Sequence, residues 1–266
     1  FAAFSSTIFF MMARIALSCE VEGMRESIDL PDAHAYQAIW PSGDEVEKVT
    51  FGFSISRRQG NHLRKLLRNG KPVKLWARVK ARLMPGVLEV VTAEIPGSSR
   101  PDEEVFLIAH LCHPRPSAND NASGSGLLIE IARAIHTLIS GGRIPRPART
   151  IRFLWVPEFY GTVAYLCQHE DLPKRLVAGV NLDMVGQDQE ACKSTLIVDR
   201  TPDSLPSYLN DLMVYLLERA EEEFDPPIGF GRATTFRYRA SVHTGGSDHH
   251  VFVDSTIGVP CVMLLQ

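Results

Sequence analysis

Apolar positions between Val105 and Ile139 change period once. Val105 to Ala109 is a short continuous apolar run, the length and density of a buried strand. It stops at His110, and Pro114 and Pro116 forbid its continuation. After Asn119-Asp120-Asn121 and a row of small residues, Leu127, Leu128, Ile131, Ala132, Ile135, Leu138 and Ile139 recur at helical spacing. The pattern predicts a strand over Glu104–Ala109 and a helix over Ala122–Ser140, ended by Gly141-Gly142. The same alternation continues: strand Thr150–Val156, helix Gly161–His169, strands Leu176–Met184 and Ser194–Val198, helix Pro206–Phe224, a short helix from Asp248, and a last strand Val259–Leu265. Strands alternating with helices predict an α/β layer fold with a mostly parallel sheet flanked by helices.

The first third reads as a smaller β-rich α+β module. Ala13 to Cys19 is strand-like, Ala33 to Trp40 is mixed, and Phe51 to Ser56 alternates large and small residues. Gly60 to Asn69 reads as a short basic amphipathic helix stopped by Gly70-Lys71-Pro72. Val73 to Leu83 alternates with period two, and Leu88 to Ile95 follows the Pro85-Gly86 turn as another strand. The Pro, Gly, Ser and charged loop 96–102 sets the expected boundary, giving domains 1–95 and 96–266.

Composition narrows the classes. The chain has 266 residues, 45% apolar and 22% charged, with a net charge of -3, which gives no reason to expect nucleic acid or an anionic membrane surface. The basic residues between Arg64 and Arg82 alternate with core positions and have no aromatic platform beyond Trp76, so a solvated face accounts for them. No apolar run reaches the length of a membrane span. Five cysteines without regular spacing argue against a disulfide framework and allow a reducing compartment. The apolar start lacks Met at position 1, so the N-terminus is expected to be incomplete, and the compartment stays open between cytoplasmic and secreted.

Candidate chemistry gathers where strands end. His110 and His113 follow the first strand, with Asp120 beyond them; Glu158 follows the second and Asp183 the third. Ligands of open α/β sheets bind at the carboxyl ends of strands, and imidazole with carboxylate suits zinc. Helix capping alone would explain one such Asp, but not three metal-capable groups in register. A late cluster, His243 to His250, reads equally as a ligand-approach loop or as a helix start capped by Ser247.

Asn119-Asp120-Asn121-Ala122-Ser123-Gly124, Glu158, Asn181-Leu182-Asp183-Met184-Val185-Gly186, and Ser247-Asp248-His249 with Gly258-Val259-Pro260 together resemble the zinc aminopeptidases of peptidase family 28 (clan MH), which also contains glutaminyl cyclases. His110-Leu111-Cys112-His113-Pro114 before Ser117-Ala118-Asn119 is similar to a bacterial aminopeptidase-like branch. The resemblance covers roughly 103–266 and implies a Zn-exopeptidase-like (phosphorylase/hydrolase-like) sheet. Residues 13–95 look similar to the family's protease-associated-like accessory domain. The resemblance further implies one or two zinc ions, with Asp120 bridging, Asp183 on the first and a histidine on the second. His113 is preferred over His110 because it lies nearer Asp120 in the chain. Glu158 would be the general base taking a proton from water. Asp248 and His249, with Asn119, Asn121 and Tyr160, would orient ligands or touch substrate. The implied substrate is a peptide with a free N-terminus. The alternatives are a single-zinc amide hydrolase, a glutaminyl-cyclase-like enzyme, or a non-catalytic homologue.

Three departures from the family pattern matter. Phe159 stands where a second acidic ligand would follow Glu158, and Cys112 stands where an Asp would follow His110 two positions on. The family's last metal-binding His lies beyond the Gly-Val-Pro strand, so that ligand is expected after Gln266, with His243 or His250 as weaker substitutes.

Overall fold

The computed structural model describes residues 31–32, 53–80, 85–113, 117–223 and 236–266. The chain divides into two units, Phe1–Leu83 and Met84–Gln266. The strand-like runs expected at Ala13–Cys19 and the mixed segment Ala33–Trp40 lie outside the described residues.

In the first unit a helix, α1, spans Arg57–Arg68. It begins three residues earlier than the hydrophobic pattern indicates, because Ser56 caps it. The Ser56 side chain accepts from the Gln59 backbone N–H, and the Gln59 side chain accepts from the Ser56 N–H. The described part of the expected strand Val73–Leu83 has no regular structure, and Trp76 is 84% exposed. Alternation does not make a strand without a neighbour to pair with.

The second unit is an α/β layer built on a seven-stranded sheet of order β1-β3-β2-β4-β7-β5-β6. The strands are β1 (Val91–Ile95), β2 (Arg100–His110), β3 (Arg149–Val156), β4 (Leu176–Leu182), β5 (Leu196–Asp199), β6 (Tyr238–Ser241) and β7 (Cys261–Leu265). The β2/β3, β2/β4, β4/β7 and β5/β6 pairings are parallel; β1/β3 and β5/β7 are antiparallel. The residues assigned to a last strand of the first module therefore belong here. Val91 to Ile95 pair with Trp155 to Ile151, which moves the boundary from 95/96 to 83/84.

Side chains of β2 and β3 alternate between two buried faces. Phe106, Ile108, Leu154 and Val156 pack on one, with Phe252 and Leu166 from the helices α7 (His249–Val253) and α3 (Tyr160–Gln168). Ala109, Phe153 and Trp155 pack on the other, against Leu128 of α2 (Gly124–Ser140). Short helices α4 (Leu172–Arg175) and α5 (Gln189–Cys192) flank β4 in sequence. Leu209, Met213 and Leu217 of α6 (Leu209–Glu223), spaced at i+4, cover Val198 and Val262.

β2 neighbours β3 on one side and β4 on the other, so the chain reverses its direction of travel across the sheet there. That is the switch point at which open α/β sheets bind ligands.

Candidate metal centre

β2 and β4 pair with Ile108 opposite Asn181, so two residues on, His110 stands level with Asp183 at the ends of adjacent strands. His110 Nε2 is 3.3 Å from Asp183 Oδ1 and 3.2 Å from Asp120 Oδ1. Asp120 turns its other oxygen to His113, with Oδ2 3.2 Å from His113 Nε2. The ligand atoms of His110, Asp120 and Asp183 all lie within 4.8 Å of one another.

Two neighbouring loops are latched to hold this arrangement. Asn121 donates to the Leu182 carbonyl at 2.8 Å and accepts from the Gly124 and Met184 N–H groups. The Asn119 side-chain oxygen accepts from Gly186 N–H, and Ser123 Oγ accepts from Val185 N–H. Asp120 and Asn121 have non-helical torsions inside the turn Ala118–Ser123, and their shared peptide bond is cis. Gly124 admits the close approach, since a Cβ there would collide with the Leu182 carbonyl and the Asn121 side chain. Ser125 Oγ donates to the His110 carbonyl at 2.8 Å.

His110 Nδ1 lies 2.8 Å from the Cys112 carbonyl. That contact makes Nδ1 the donor to the backbone, so Nε2 is the nitrogen that faces the two carboxylates. A backbone oxygen thus fixes the orientation of the His110 ring. Asp183 Oδ1 is buried, and His110 Nε2 stands 3.3 Å from it as an ion-pair partner. Two ligands of a tetrahedral zinc stand about 3.3–3.5 Å apart, close to the separations here. The donor set and its spacing fit a zinc ion.

Electrostatics follow from the crowding of charge. Burial opposes the charged form of His110, but the Asp183 carboxylate beside it, the Glu158 charge and the Cys112 carbonyl hold its pKa up to about 10. Glu158, at the end of β3, is pushed up to about 7 by burial, against the nearby His110 charge and aided by Asp183, Asp248 and Asp120. Its backbone N–H donates to Cys112 Sγ at 3.1 Å. Phe159 takes a positive φ of 56°. Its N–H and the Thr162 hydroxyl both donate to Asp248 Oδ1, at 2.8 and 2.6 Å. Burial lifts Asp248 to about 6, and its Oδ2 has no partner among the described residues.

The remaining sequence candidates fall elsewhere. Tyr160 is 65% exposed on the first turn of α3. His249 is fully buried against Asp199, with His243 and His250 beside it; Asp199, His243 and His249 form a group separate from that of His110, Asp120 and Asp183. Thr162 and Asp199 escape the sequence reading. Asp199 ends a strand as Asp183 does, which is the signal that marks it. No helix among the described residues is long and apolar enough to cross a membrane.

A family model described as "Domain of unknown function (DUF4910)" matches residues 23–204. The chain is 34% identical over 85 residues to a Clostridium acetobutylicum protein named for polysaccharide biosynthesis and an aminopeptidase-like domain. That match covers 32% of this chain and 18% of the relative, so the chain spans less than a fifth of it. Similar solved structures include a zinc aminopeptidase from Bacillus subtilis (25% identity, 66% of this chain, 39% of that one, TM-score 0.48). They also include a glutaminyl cyclase from an Acidobacteriales bacterium (16% identity, 96% of this chain, 79% of that one, TM-score 0.49).

Proposed function

Because the chain belongs to the family described as Domain of unknown function (DUF4910), a description that assigns no activity, we propose on the site's own geometry that it carries the catalytic centre of a zinc-dependent aminopeptidase-like hydrolase. The observation that carries this reading is the convergence of three ligand atoms, on His110, Asp120 and Asp183, at the ends of adjacent strands. The curated relative, 34% identical over 85 residues, has an aminopeptidase-like domain in its name, which agrees with this chemistry.

In this reading His110 Nε2, Asp120 and Asp183 hold the zinc, and the Cys112 carbonyl fixes the His110 tautomer. Bound zinc supplies Lewis acidity toward a carbonyl and lowers the pKa of water to about 7. Glu158 takes the proton from the attacking water and later returns it to the leaving amine. Asp248 sets the loop that carries Glu158 by holding Phe159 and Thr162. Substrates are peptides or small amides with a free N-terminus. Residues 1–83 act as an accessory module of the protease-associated kind.

A single-ion amide hydrolase is the second reading. Phe159 offers no ligand after Glu158, and among the described residues His113 alone stands on the far oxygen of Asp120. The test uses the protein that carries this chain, loaded with zinc, on an aminoacyl-nitroanilide and on an N-acylated analogue. Turnover that needs zinc and a free amine supports the aminopeptidase. Turnover of the acylated analogue alone supports the second reading. Glu158→Gln should retain zinc and lose about 10²–10⁴-fold in rate. Wild-type rates in that variant, or loss of zinc with activity, contradict its assignment.

A further inference from the structure

Asp199, at the end of β5, is fully buried and collects donors from several directions. Thr244 N–H lies 3.0 and 3.1 Å from its two oxygens, and the Thr244 hydroxyl donates to Oδ2 at 2.9 Å. Ser241 Oγ donates to Oδ1 at 3.2 Å. His249 Nε2 stands 3.0 Å from Oδ2 and His243 Nδ1 4.0 Å from the same oxygen. One ligand atom from each of Asp199, His243 and His249 fits within 4.8 Å of the others, the same criterion the His110 group meets.

We propose that Asp199, His243 and His249 form a second, separate binding site for a divalent transition-metal ion. Three segments distant in sequence supply it: the end of β5, the loop after β6 and the start of α7. Two imidazole nitrogens and one carboxylate oxygen make a donor set suited to zinc or another borderline ion rather than to calcium or magnesium. The outer contacts of Asp199 and His243 have the form that metal ligands need. Thr244 and Ser241 orient the carboxylate, as ligating carboxylates are themselves hydrogen-bonded. His243 Nε2 faces His250 Nδ1 at 3.3 Å, with the two rings nearly parallel, 5.5 Å apart at 10°. A His243 that binds through Nδ1 keeps its proton on Nε2 and donates it to His250, which fixes the tautomer. On binding, His243 Nδ1 leaves the Arg200 carbonyl, now 3.2 Å away, and His249 gives up the Nε2 proton that Asp199 accepts. The site would join the end of β5, the loop after β6 and the start of α7, so its role is to staple the loop 242–248 to the sheet. His243 and His249 lie outside residues 23–204, so the matched family stretch supplies only Asp199 of the three.

The probe is Co²⁺, added to untagged protein in which D120N and D183N disable the first centre. The expected result is one Co²⁺ per chain with visible bands of a nitrogen- and oxygen-coordinated ion. Adding H243A, at a half-buried position, should weaken that binding by at least the roughly 10–100-fold typical of losing an outer-shell partner, with unchanged far-UV circular dichroism. A folded D120N/D183N protein that binds no Co²⁺, or equal binding with and without H243A, overturns the proposal. If D120N/D183N does not fold, wild type and H243A are compared for zinc content instead. Loss of one ion per chain supports the site and equal content overturns it. Neither readout depends on hydrolysis, so the result stands apart from the proposed activity.

Discussion

Asn121 donates from Nδ2 to the Leu182 carbonyl at 2.8 Å, tying the loop that carries Asp120 to the strand end that carries Asp183. Its side-chain oxygen also accepts from Gly124 and Met184 N–H groups, so one buried amide satisfies three backbone groups. Asn121→Ala leaves those groups unpaired in the interior, at a cost of about 1–3 kcal/mol for an unsatisfied buried group. The prediction is a loss of stability in that range or above, by denaturant unfolding, with zinc affinity reduced about 10–100-fold. Unchanged zinc affinity in a folded Asn121→Ala protein would separate the latch from the metal centre.

A second buried network should be sensitive in a different way. Glu104 is 1% exposed and accepts from Arg152 Nε at 2.6 Å and Nη2 at 3.2 Å, with Arg175 Nη1 at 3.0 Å. Removing one partner of a buried pair strands the other, at about 3–5 kcal/mol. Glu104→Ala is expected to fall in that range and Glu104→Gln, which keeps an acceptor, to cost clearly less. Equal losses for the two, measured by chemical denaturation, would show that the negative charge matters more than the hydrogen bonds.

Much of this was legible because the chemistry sits where the hydrophobic period changes. The run Val105–Ala109 marks β2, and His110, Glu158 and Asp183 mark the ends of three adjacent strands. What spacing could not rank was His110 against His113. Nearness in sequence favours His113, whereas the strand places the buried His110 level with Asp183 and leaves His113 on the far oxygen of Asp120. Val91–Ile95 pairs within the second unit, which its apolar pattern does not reveal, because such a pattern names a strand and not its partner. Its partner, β3, lies some 60 residues further along the chain. Val73–Val79 shows the opposite failure, a period-two pattern with no regular structure. The start of α1 was written in Ser56-Arg57-Arg58-Gln59, a capping box that hydrophobic spacing alone passes over.

Cysteine labelling tests the packing of the last strand. Cys261 is fully buried, and burial raises its thiol well above the usual range, with the Asp248 charge adding to the effect. Cys112, Cys167 and Cys192 are exposed. Thiolates react and thiols do not. Iodoacetamide near pH 8 is therefore expected to modify Cys112, Cys167 and Cys192 in the native protein and Cys261 only after unfolding, read by mass spectrometry of peptides. Native labelling of Cys261 at a comparable rate would contradict the packing of β7 between β4 and β5.

The central claim is that His110, Asp120 and Asp183 bind one zinc ion, and anomalous scattering at the zinc edge from zinc-loaded crystals tests it most directly. A peak is expected about 2.0–2.2 Å from His110 Nε2, Asp120 Oδ1 and Asp183 Oδ1, lost in His110→Ala crystals grown in the same zinc concentration. Absence of a peak at these three atoms, with zinc density elsewhere or nowhere in the protein, would contradict it.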